Sequence, residues 1–68
     1  MNERERIGKR ITEIRTEKGI SIFELADLTG LKKQNIFRIE SGKYSADLDI
    51  LSKIADALNC TLDFIENQ

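Results

Sequence analysis

Apolar residues recur along this chain at the spacing of helix faces. Ile7, Ile11 and Ile14 fall at i, i+4, i+7, which predicts a helix from about Asn2 or Glu3 to Lys18. Gly19 is placed to end it in the left-handed conformation. Two short amphipathic runs come next and meet at Gly30. The first starts after Ser21, whose pairing with Glu24 three residues on makes a capping box. The second follows Gly30-Leu31 and stops at Ser41-Gly42. Its N-cap is Lys32, which lacks the side-chain acceptor of a Ser or Thr cap at a cost of ~1 kcal/mol. Leu25 and Ala26 share one face of the first run, and Ile36 and Ile39 share one face of the second. A fourth helix is expected from about Leu48 to Leu58, capped by Asp47, with Leu48, Leu51, Ile54, Ala55 and Leu58 turned inward. Asn59 is its left-handed stop. A fifth, short helix runs from Leu62 to about Glu66 with Thr61 as cap, and its Leu62 and Ile65 are spaced to cover a core.

The pattern is therefore all-α, a single compact domain over 1–68. Gly30 lets the chain turn sharply between two helices, and the small Ala26 lets the second cross close to the first. Away from Ile36 and Ile39, the second run presents Lys33, Gln34, Phe37 and Arg38. That is the layout of a helix-turn-helix, here at about 21–40, whose second helix can enter a DNA major groove.

Six segments carry a resemblance that spans about Ile7 to Ile65. They are Ile-Thr-Glu-Ile-Arg at 11–15, Lys-Gly-Ile-Ser at 18–21, Glu-Leu-Ala at 24–26, Thr-Gly-Leu at 29–31, Asn-Ile-Phe-Arg-Ile-Glu-Ser-Gly-Lys at 35–43 and Leu-Ser-Lys-Ile-Ala-Asp-Ala-Leu at 51–58. In this order and spacing they resemble the helix-turn-helix domain of Cro and C1-type phage repressors and XRE-type bacterial regulators. The resemblance implies a five-helix, lambda-repressor-like fold, double-stranded DNA as partner, and a homodimer.

Composition limits the alternatives. A domain of 68 residues buries only about 60% of its unfolded surface, so its stability is marginal. There is one cysteine, Cys60, and no histidine, so neither a disulfide nor a zinc set is expected. No cofactor is expected, and no nucleophile motif or glycine-rich phosphate loop suggests an enzyme. The unpaired thiol fits a reducing cytoplasm. The residues at the N-terminus do not form the apolar region of a signal peptide, and no membrane partner is expected. The net charge of −1 is misleading: residues 1–43 hold ten Lys/Arg against seven Asp/Glu, a balance of +3, while residues 44–68 hold one against five, a balance of −4. A basic side can face DNA while the far end is acidic.

Each singled-out residue has a plainer alternative. Arg15 and Glu40 could be two exposed charges on separate helices; the resemblance implies a buried ion pair that ties the first helix to the end of the third. Lys33 and Gln34 could line an ordinary solvated face, or bond guanine and adenine edges. Arg38 suits a base edge or a phosphate, and Lys32, Asn35 and Ser21 suit phosphates. Phe37 has three open roles: packing on a thymine methyl, lying back on its own domain, or serving as a protein-interaction hot spot. Ile22 stands where phage repressors often carry a phosphate-clamping glutamine. Its side chain cannot clamp, but the amides at the helix start can. Ile22 is expected at the core edge, and with a partly exposed Phe23 it could form an apolar patch apart from DNA. Lys43 and Tyr44, after the third helix, match positions that in the resembling family run along phosphates; the plainer alternative is a simple loop with Gly42 as a C-cap, and both can hold together. Cys60 is expected to be a buried thiol. Phe64 stands where the resembling family is polar, and it is assigned to a dimer interface, with folding back as the alternative. The sum is a transcriptional regulator reading bases with Lys33, Gln34, Phe37 and Arg38. The rival is a protein-interaction module, such as an antitoxin or adaptor, that uses exposed Phe23, Phe37 and Phe64.

Overall fold

The computed structural model describes residues 1–66, with Phe64 and Glu66 in backbone only; the assignment of the Phe64 side chain to a dimer interface lies outside the described residues. Four helices of eight residues or more are followed by a five-residue one: α1 (Glu3–Glu17), α2 (Ile22–Thr29), α3 (Lys33–Glu40), α4 (Leu48–Ala57) and α5 (Leu62–Glu66). No strand occurs among the described residues.

Three helices start on a side chain that satisfies otherwise orphaned amides. Ser21 caps α2 and receives the Glu24 amide at 3.0 Å, while the Ser21 amide donates to Glu24 Oε1 at 3.2 Å. Asp47 accepts the Ile50 amide at 2.9 Å at the head of α4. Asn2 and Glu5 form a second capping box at α1, a start that the spacing of apolar residues left open between Asn2 and Glu3. Helix α3 starts on Lys32 with no side-chain cap bond. At its other end α2 stops at Gly30, whose φ of +74° is the left-handed value that a sharp turn into α3 requires. Asn59 takes φ +55° after α4.

Helix α3 sits between α1 and α2; α4 packs on α2, and α5 closes against α1 and α4. Their common core contains Ile11, Leu25, Ile36, Ile54, Leu58 and Ile65, all fully buried, with Ile14, Ile39, Leu51 and Ala55 nearly so. Each such aliphatic chain contributes ~1.5–3 kcal/mol by leaving water. Leu48 departs from the expected pattern. It lies in helical phase with Leu51, yet it is 63% exposed, and Ile50 packs at the core edge instead. Phase assigns a face, but Leu48 is the first residue of α4, where phase does not guarantee that a neighbouring element covers it. No described helix is long and apolar enough to cross a membrane.

Candidate nucleic-acid interface

The end of α3 is clamped to α1. Arg15 grips Glu40 with two parallel bonds, Nε to Oε2 and Nη2 to Oε1, both 2.9 Å. Thr12 Oγ1 donates to the same Oε1 at 2.9 Å, and Arg15 Nη1 donates to the Ile20 carbonyl at 3.1 Å. The side chains are 14% and 8% exposed. The hydrogen bonds to Glu40 raise the Arg15 pKa above its usual value, against the opposing effect of burial. A bidentate, largely desolvated pair of this kind fixes the angle between two helices as well as their separation.

Gly8 makes this approach possible. A Cβ there would overlap the Ile39 carbonyl oxygen and come within 2.6 Å of the Glu40 carbonyl oxygen. The backbone of α1 thus rests directly on the last turn of α3. Neither Gly8 nor Thr12 stood out in the sequence. A glycine inside a helix with alternating charges carries no signal of its own, although a mid-helix Gly at its ~1 kcal/mol propensity cost hints at close packing.

The other side of α3 faces outward. Lys33, Gln34, Phe37 and Arg38 are all exposed and share that side, with Asn35 and the N-cap Lys32 exposed beside them. Phe37 is 61% exposed, which removes the reading in which it folds back on its own domain. Ser21 is exposed too; its amide donates and its oxygen accepts within the capping box, so its hydroxyl proton is the group left to donate outward. That box leaves the Ile22 and Phe23 amides as the donors at the head of α2. Beyond α3, the Lys43 amide returns to the Arg38 carbonyl at 2.9 Å, and Ser41 Oγ donates to the Phe37 carbonyl at 2.9 Å. These bonds hold the following loop against the helix, with Lys43 and Tyr44 both exposed.

Ile22 does pack at the core edge, but its neighbourhood is not a separate patch. A groove of about 450 Å³ is lined by Ile22, Lys33, Gln34, Phe37 and Arg38, so the start of α2 and the outward side of α3 form one surface. Phe23, 62% exposed, adjoins it: the Lys33 ammonium lies 4.7 Å from the centre of its ring. Sequence spacing placed Ile22 and Phe23 on a different helix from Phe37, and only the turn at Gly30 brings them together. Cys60, remote in sequence from this surface, is half-buried at the core edge, and burial pushes its thiol pKa up. No group of acidic, cysteine or histidine side chains suited to a metal occurs among the described residues.

Residues 11–65 match the helix-turn-helix family model. The chain is 36% identical over 58 residues to an SPbeta prophage-derived HTH-type transcriptional regulator, YonR, of Bacillus subtilis, covering 85% of this chain and 54% of the relative. The chain thus spans about half the length of that protein. An HTH-type transcriptional regulator of Archaeoglobus fulgidus is 35% identical over 54 residues, covering 79% of this chain and 77% of the relative. Among solved structures, the restriction-modification controller protein C.AhdI from Aeromonas hydrophila superposes with a TM-score of 0.88 at 33% identity, over 90% of this chain and 92% of the other.

Proposed function

The chain belongs to the helix-turn-helix family, and from that premise we propose that it binds double-stranded DNA with α3 in the major groove and regulates transcription by occupying its site. The observation that carries this is the outward side of α3: two cations, an amide and an aromatic ring on one exposed face, on a helix whose far end is anchored through Glu40. Lys33, Gln34, Phe37 and Arg38 read base edges. Ser21, Lys32, Asn35, Lys43, Tyr44 and the amides at the head of α2 position the domain on phosphates. Arg15 and Glu40 orient α3 and touch no base. The domain's longest dimension is 27 Å, less than the ~34 Å between half-sites one helical turn apart. One copy therefore reads one groove, and a symmetric homodimer, with Phe64 assigned to its interface, reads two. Relatives named as transcriptional regulators support the regulatory part of this reading.

The test is retardation of genomic DNA fragments across a salt series, followed by selection of bound sites from a random pool. Binding should weaken steeply with salt, as release of counterions from phosphates requires. Gln34→Ala should lose ~1–3 kcal/mol at one base position and relax specificity there. Lys43→Ala should weaken all sequences alike and flatten the salt slope by about one unit. A Gln34→Ala protein with unchanged base preference would place the reading face elsewhere. The exposure of Phe23 and Phe37 favours one other reading, a protein-interaction module, and a protein that retards no DNA at low salt would establish that one instead.

A further inference from the structure

The groove between α2 and α3 has the wrong chemistry for phosphate and the right chemistry for one feature of a base edge. We propose that Phe37, Ile22 and the methylene stem of Lys33 form a slot for the C5-methyl groups of two successive thymines. The proposal rests on α3 entering the major groove, as above, and names what that groove must contain.

The walls of the slot are almost wholly apolar. Lys33, Gln34 and Arg38 line it with their aliphatic stems, which leaves their polar heads free to reach out of it. Phe23 contributes from the side: its ring lies under the Lys33 ammonium at 4.7 Å, which draws that head toward α2 and keeps its stem along the slot. Lys33 and Arg38 line the groove and are exposed, and the exposed Lys32 precedes them in the chain, so the surface is complementary to DNA around an apolar centre. In the major groove every base presents polar donors and acceptors, and only thymine adds an apolar group, its C5-methyl. An apolar slot at the middle of a cationic reading face therefore selects thymine. The groove is open and is not closed round a single methyl. Successive bases on a strand are ~3.4 Å apart, close enough for one phenyl ring to cover two methyls. Gln34, beside the slot, is placed to bond an adenine of the same or the adjoining pair.

The experiment uses the site selected from random DNA and replaces its thymines one at a time with deoxyuridine, which keeps every hydrogen-bonding group and lacks only the methyl. Two adjacent positions should each weaken binding about fourfold, the effect of one buried methyl. In Phe37→Ala, thymine and uracil versions should bind alike, and Phe37→Leu should restore part of the difference. A site indifferent to uracil at every thymine would overturn the slot while leaving DNA reading intact. So would a uracil penalty that persists undiminished in Phe37→Ala. Failure to select any site from the pool would overturn both, and the groove would then serve a protein partner.

Discussion

The two ends of α3 are built on opposite principles. At the C-terminal end Glu40 is nearly buried, both of its oxygens are bonded at 2.9 Å, and α1 lies against the backbone across Gly8. At the N-terminal end Lys32 makes no cap bond, and Lys33 and Gln34 stand in solvent. The Asn35 amide returns to the Lys32 carbonyl at 3.0 Å, but no N-cap side chain satisfies the Lys33 and Gln34 amides at the positive dipole end. A helix that must meet a ligand at one end gains from being immobilised at the other, because the orientation is then set before binding and costs little on contact. On the proposed DNA-binding function, the domain is stabilised at the end of α3 that would not read and left uncapped at the end that would, a trade between stability and function.

The contrast breaks first at the clamp. Arg15→Met would strand the Glu40 carboxylate at a site 8% exposed, and should cost about 3 kcal/mol, with Glu40→Gln costing less. The double variant should lose at least ~0.5 kcal/mol less than the sum of the two. Denaturant melts of the four proteins measure this, and strict additivity would mean that the bidentate pair carries no coupling energy.

A smaller loss is expected at Gly8. Gly8→Ala should raise helix propensity by ~0.5–1 kcal/mol, yet destabilise the fold by about 2 kcal/mol net, because the added methyl meets backbone carbonyls that cannot move aside. Thermal melts together with DNA binding check it. The variant should melt lower and also bind less tightly, since α3 is displaced from its seat. A lower melting temperature with unchanged affinity would show that the clamp stabilises without orienting.

The smallest effect sharpens the comparison from the open end. Lys32→Ser supplies the missing cap and should stabilise the fold by ~1 kcal/mol, while removing a cation from the proposed phosphate path. Stability and DNA affinity should therefore move in opposite directions. A variant weakened in both would assign Lys32 to the fold.

Much of this was legible in local spacing. The caps Ser21 and Asp47, the turn at Gly30 and the left-handed Asn59 follow from backbone sterics and amide satisfaction, which operate within four residues of each position. The faces of α1 and α3 follow from a 3.6-residue period and from the fact that aliphatic side chains leave water. The same period misplaced Leu48, because phase cannot say whether a neighbour reaches the first turn of a helix.

What the sequence by itself determined is thus each helix, its approximate ends and, Leu48 apart, its inward face, since those are set by contacts between near neighbours in the chain. Only the tertiary structure decided which outward faces share a surface and which backbones touch. Thr12 joins the Arg15–Glu40 pair across 28 residues of chain. Gly8 matters because of two carbonyls on α3, and Ile22 and Phe37 line one groove because Gly30 folds one helix back on the other. These contacts bring together residues far apart in the chain, and they depend on the crossing of helices, which long-range packing fixes and no local period encodes.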